Sequence, residues 1–232
     1  MPGGRLDAEV TTLRRFSVVA EYAEPDGRRF VRHVALLRDD CRLQFGSAAD
    51  VWHACPPVVA GERTGRAAPR DLQQCCAHAV GFLDDLTVDE LAGIATTLAE
   101  IDDQTQPSDS PLKQYVVHPP VAWVTDRVTG TKRFRRFSCV GFVHECYDAG
   151  AGIRLLDLSE DMPQVDLTTL DAAYGEPVHR ERIREQLGIL GEPPWSLVLP
   201  GYLMHSLSRS STGIRKAPHV PSSVDEAAFP LR

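Results

Sequence analysis

A chain of 232 residues that is 43% hydrophobic and 25% charged has the composition of a globular domain able to bury a core. Its net charge of −7 argues against a general nucleic-acid binder, and no apolar run approaches the ~18 residues that a membrane helix needs. The opening MPGGRLDAEVTTLRRF has no apolar export core, so a cytoplasmic location is expected, with the six cysteines as reduced thiols.

The first fifty-odd residues predict antiparallel strands. RRFSVVAEY (14–22) and RRFVRHVALL (28–37) are rich in β-branched and aromatic residues, and EPDG is the turn between them. Strand alternation places Val31, His33, Ala35 and Leu37 on one face. CRLQFGSAADVWHA (41–54) predicts a short strand, a Gly-Ser break and a last edge ending at His53. Proline and glycine make 56–69 a loop.

RDLQQCCAHAVGFLDD (70–85) has Leu72, Cys75, Cys76, Ala79 and Phe82 at helical spacing, so a core helix is expected there rather than a ligand cluster. TVDELAGIATTLAEID (87–102) predicts a second helix, opened by a Thr87–Glu90 capping box. Residues 102–111 read as a polar linker. QYVVHPPVAWVTDRVTGTKRFRRF then predicts a strand, a break at the two prolines, and a hairpin turned near Asp126–Gly130. The basic run Lys132–Arg136 is expected to be a strand with one solvated face. Farther on, GIRLLDLSE predicts a strand and PVHRERIREQLGIL a helix, while PGYLMHSL is apolar and of open type. The whole reads as one α+β domain over 1–207, with 70–102 a helical insertion and 208–232 a mobile tail.

FSCVGFVHECY (137–147) concentrates the chemistry. As a helix, it holds Cys139 in its first turn behind Ser138 as N-cap, with Phe142, Val143 and Cys146 on the same face. Free amides and the dipole at such an end favour a thiolate, and Gly141 leaves room beside the sulfur for substrate. His144 lies about 140° around the helix from Cys139, which makes it a poor base and disfavours a zinc site built from Cys139, His144 and Cys146. Cys146 is expected to pack. A nucleophilic cysteine needs a histidine base and a group orienting that histidine. His33, inside a strand, is the best-placed base, with His53 at the end of a neighbouring strand as its partner; His205 and His118 are the fallbacks.

These segments resemble a known family. FSCVGFVHECY resembles the nucleophile segment of NlpC-type cysteine peptidases, and RHVALLRDD…VWHA resembles the histidine hairpin of the same superfamily. The resemblance implies a papain-like α+β fold, its antiparallel sheet packed against the helix that bears the nucleophile. The histidine hairpin precedes Cys139 here, an order similar to the circularly permuted branch that includes lecithin:retinol acyltransferase-like proteins. A triad is defined by geometry rather than chain order. Carried over, Cys139 is the nucleophile, His33 the base and His53 the orienting group, with Ser138 and Gly141 at the substrate. The retinol-acyltransferase pattern Asn-Cys-x-His-Phe is absent, since Ser138 precedes the cysteine and Gly141 replaces that histidine.

The expected function is therefore that of a cysteine-dependent hydrolase or acyltransferase. It would act on a small-molecule or peptide substrate bearing an amide, ester or thioester, without cofactor or metal. The alternatives are an inactive papain-like binding scaffold and a zinc-binding module.

Overall fold

The β-branched stretches near the start of the chain form seven strands in the computed structural model: β1 (Val10–Leu13), β2 (Val18–Ala23), β3 (Phe30–Leu37), β4 (Cys41–Gln44), β5 (Ala48–Trp52), β6 (Gln73–Cys76) and β7 (Ala79–Gly81). The structure describes residues 10–23, 30–44, 46–54, 73–77, 79–81, 83, 85–104, 115–158 and 162–222. The expected EPDG turn, the 56–69 loop, most of the 102–111 linker and residues 223–232 lie outside them.

Five strands make one antiparallel sheet in the order β6-β5-β3-β2-β7, and β1 pairs with β4 beside it. The core divides across this sheet. Val19, Ala35, Leu37, Ala49, Val51 and Ala77 form one apolar cluster, whereas Val18, Ala20, Val34 and Leu36 belong to a larger one shared with the helices. Residues 34 to 37 thus alternate as a strand requires. Val31 breaks the expected pattern and joins Val34 in the larger cluster, because the β2–β3 register slips between Glu21 and Tyr22. Such a bulge re-aims the residues beyond it.

The helix expected over 70–85 is not formed. β6 pairs with β5 through Ala49↔Cys75, and β7 pairs with β2 through Val19↔Val80. The cause is non-local: without these strands, both margins of the sheet would leave backbone N–H and C=O groups unpaired. Only residues 77 and 78 separate β6 from β7, so one segment supplies both edge strands.

The remaining elements are α1 (Val88–Gln104), β8 (Val121–Thr125), β9 (Lys132–Phe137), α2 (Cys139–Ala151), β10 (Gln164–Val165), α3 (Leu167–Tyr174), α4 (Glu181–Gln186), β11 (Trp195–Ser196), α5 (Pro200–Leu207) and α6 (Ser211–Lys216). The capping box at α1 is made: Thr87 N–H donates to Glu90 Oε2 at 2.7 Å and Glu90 N–H to Thr87 Oγ1 at 3.2 Å. β8 and β9 form the expected hairpin, with Asp126 Oδ1 accepting the Val128 and Thr129 amides in its turn. The described part of GIRLLDLSE, residues 152–158, forms no strand, and Leu156 makes a single bridge to His219. PVHRERIREQLGIL breaks into a 3₁₀ turn (Glu176–His179) and α4. PGYLMHSL is α5, with proline in its first turn. Of the expected mobile tail, Ser211–Lys216 is helical, and Arg215 ties it to Asp85 at 2.9 Å and Glu90 at 2.6 Å.

Helices α1 and α2 cross closely where Gly93 meets Gly150; a Cβ on Gly93 would lie 1.9 Å from the Gly150 carbonyl oxygen. Among the described residues no helix is long and apolar enough to cross a membrane.

Candidate active site

Ser138 has extended backbone and caps α2, its Oγ accepting the Gly141 N–H at 2.9 Å. That fixes Cys139 in the first turn, where its side chain is wholly buried. α2 packs on β3, and the backbone amide of Val34, the residue that follows His33, acts on the thiol to lower its pKa. The Val140 amide and Cys139's own backbone amide lower it as well. A fourth donor is the Tyr115 hydroxyl, 3.8 Å from the sulfur, and that hydroxyl in turn accepts the Cys139 N–H at 3.4 Å.

Burial raises the Cys139 pKa and outweighs these donors, each of which lowers it. The thiolate-favouring helix end expected from sequence is therefore only half the balance: the amides act as expected, but a low-dielectric surround disfavours the charge. The resting thiol is protonated at neutral pH. Burial also pushes the Tyr115 hydroxyl well up, with the neighbouring Cys139 and Tyr174 adding to the shift, so Tyr115 remains a proton donor. Tyr174, at the end of α3, meets Tyr115 edge-on with ring centroids 6.4 Å apart.

His33 and His53 are brought together. His33 Nε2 lies 2.6 Å from His53 Nδ1, with the rings edge-to-face at 4.8 Å, and both side chains are buried. One nitrogen of the pair must carry the proton. With it on His33 Nε2, His53 accepts and His33 Nδ1 becomes an acceptor, the tautomer a general base requires. His53 sits just past the end of β5, as its sequence position suggested.

Two expectations need correction. Gly141 does not open space for a substrate: a Cβ there would lie 2.0 Å from the Pro120 carbonyl oxygen, so the missing side chain admits the chain before β8. Ser138 is almost fully buried and its hydroxyl is committed to the helix cap, which makes its role structural.

Other candidates sit elsewhere. His144 is buried, with Nε2 3.8 Å from Asp148, and burial lowers its pKa. Cys146 lies in the larger core cluster, its pKa pushed far up by burial. His205 in α5 stacks on His219 with centroids 6.4 Å apart. The His118 carbonyl abuts Gly188, where a Cβ would come within 1.8 Å of it. Among the described residues no group of three or more His, Cys, Asp or Glu could hold a metal ion.

Three residues at the site escaped the sequence reading: Tyr115, Tyr174 and Arg136. Lys132–Arg136 is strand as expected, but its charges are not all solvated. Arg135 reaches Glu145 at 2.5 Å, and Arg136 turns inward to donate to the carbonyls of Tyr115 and Gln186. Arg136 thereby holds the backbone from which the Tyr115 hydroxyl reaches the thiol. Compared with protein-family models, curated proteins and solved structures, the chain matches none.

Proposed function

We propose that the chain is a cysteine-dependent hydrolase or acyltransferase built on a permuted papain-like core. The observation that carries this reading is a buried helix-start thiol packed against β3, the strand whose His33 is bonded to His53. The Val34 amide draws the Cys139 pKa down, and the residue before it, His33, is bonded to His53 at 2.6 Å.

In this reading His33 takes the Cys139 proton as the sulfur attacks the carbonyl carbon of an amide, ester or thioester. Transfer occurs in step with attack, because the resting thiol is not a thiolate. The Cys139 N–H and the Tyr115 hydroxyl, 3.4 Å apart, are donors at hand for the oxygen that gains charge. The carbon–heteroatom bond then breaks, His33 returns the proton to the leaving group, and a thioester to Cys139 remains. Water, or an acceptor amine or hydroxyl, loses its proton to His33 as it attacks the thioester and frees the thiol. The chemistry needs no cofactor.

Reaction with p-nitrophenyl acetate tests this. A hydroxylamine-labile acetyl group should form on Cys139, vanish in Cys139→Ser, and form at least about a hundredfold more slowly in His33→Ala, the low end for a general base. Acetylation spread over several cysteines, or unchanged in His33→Ala, would overturn the reading.

One observation favours the second reading, an inactive scaffold of the same fold. The thiol is fully shut from solvent, and burial dominates its pKa. In that case Cys139 resists iodoacetamide as Cys146 does, and no acyl adduct forms.

A further inference from the structure

A second site lies toward the other end of α2. Tyr147, eight residues beyond Cys139 and so about 12 Å farther along the helix axis, forms part of the wall of a cavity of about 590 Å³. That volume suits a small organic ligand. Leu83, Leu86, Leu91 and Ala95 supply an apolar side, and Ala95 and its neighbour Ala92 are small enough to leave the space open.

The opposite side is cationic. Arg14 and Arg15 line the cavity from the turn between β1 and β2, facing one carboxylate, that of Asp40. Asp40 already accepts the Arg15 backbone N–H at 2.7 Å. The Arg15 guanidinium lies over the Phe16 ring, 4.5 Å from its centroid.

The backbone here is unusual. Phe16 is fully buried yet has φ of +67°, a left-handed conformation that a bulky residue adopts only under strain. It is locked from both sides: Phe16 N–H donates to the Leu37 carbonyl at 2.9 Å, and the Tyr147 hydroxyl donates to the Phe16 carbonyl at 2.8 Å. Ser17 closes the turn, with both its N–H and hydroxyl on the Arg14 carbonyl. A strained turn held this firmly presents two consecutive arginines to a half-apolar cavity.

We propose that this cavity binds an organic anion, with a carboxylate or phosphate head against the arginine turn and an apolar body along α1. The site stands apart from the thiol, and its test does not depend on catalysis. The probe is 8-anilinonaphthalene-1-sulfonate, an apolar body with one anionic group, titrated by fluorescence against the full chain. Saturable binding at one site is expected, weakened at least fivefold by Arg15→Gln, which removes the charge, and by Ala95→Phe, which fills the cavity.

Thermal melts of both variants establish that they fold. Dodecanoate and dodecyl phosphate should both displace the probe, and the stronger competitor identifies the head group. Dodecanol and inorganic phosphate should each compete at least tenfold more weakly. Absence of saturable binding, binding indifferent to both substitutions, or displacement by dodecanol as strong as by dodecanoate would overturn the proposal.

Discussion

Cys139 and Cys146 stand two turns apart on one face of α2, both buried, and burial raises the pKa of each. Their surroundings differ in kind. The Tyr115 hydroxyl donates to the Cys139 sulfur, and it and three backbone amides each pull the thiol pKa down, whereas the one opposing influence at Cys146 is the charge of Arg135. Each half of the helix also has its own tyrosine: Tyr115 donates to the Cys139 thiol, and Tyr147 donates to the Phe16 backbone. Burial therefore does not separate a reactive cysteine from a packing one. Convergent donors do.

The sharpest test substitutes the two thiols. Cys139→Ser should lower acyl transfer by at least about a thousandfold, or about 4 kcal/mol of transition-state stabilisation. Cys146→Ala should leave turnover within about twofold, since the interaction it removes is packing rather than chemistry. Equal losses from the two would erase the contrast.

Next comes Gly141→Ala, whose new Cβ would meet the Pro120 carbonyl oxygen at 2.0 Å. Backbone cannot yield as a flexible side chain can, so about 3 kcal/mol of stability should disappear in urea unfolding.

The tyrosines sharpen the comparison further. Tyr115→Phe should slow turnover roughly 100- to 1,000-fold, the loss of one oxyanion donor, with a smaller effect on the melting curve. Tyr147→Phe should do the reverse, removing a buried hydrogen bond worth about 1 kcal/mol of stability while turnover holds.

The smallest effect is alkaline. Folding raises both thiol pKa values, so each group's contribution is complete below the unfolded value of about 8.5 and is lost as pH rises through the folded value. Stability should decline above pH ~9, less steeply in Cys146→Ala. In the native protein, iodoacetamide should reach Cys139 at a lower pH than Cys146. The opposite order would mean that the donors do not govern the sulfur.

Local chemistry was legible wherever neighbours in sequence are neighbours in space. The Thr87–Glu90 box, the Ser138 cap and the Asp126 turn are each settled within three or four residues, and each formed as read. The His33–His53 pairing followed from two strands at short separation. The 70–85 segment failed because Cys75, Cys76 and Ala79 fit helical spacing as well as strand pairing. The deciding fact, two open sheet margins, lies in β2 and β5. Val31 was misplaced by a bulge that leaves no mark in a β-branched run. Tyr115 was invisible for a related reason: its hydroxyl meets the thiol only after the β8–β9 hairpin folds back, and its single sequence cue is an aromatic residue at the head of an apolar stretch. The Gly141 error came from reading a small residue as vacancy when a carbonyl fills the space.

The segment that supplies both sheet edges has a consequence for how the protein breathes. Edge strands ordinarily fray independently, each exchanging its amide protons at its own rate. Here β6 and β7 are tethered through residues 77 and 78, so releasing one strains the pairing of the other, and their amides should exchange as a single cooperative unit. β3, which carries His33, runs in the middle of the sheet, but β5 pairs with it only through Leu36 and Leu37, and His33 is held in the ladder through Glu21 of β2. The histidine pair is thus tied to β5, which ends one residue before His53, and its 2.6 Å contact should hold only while that short ladder stays paired.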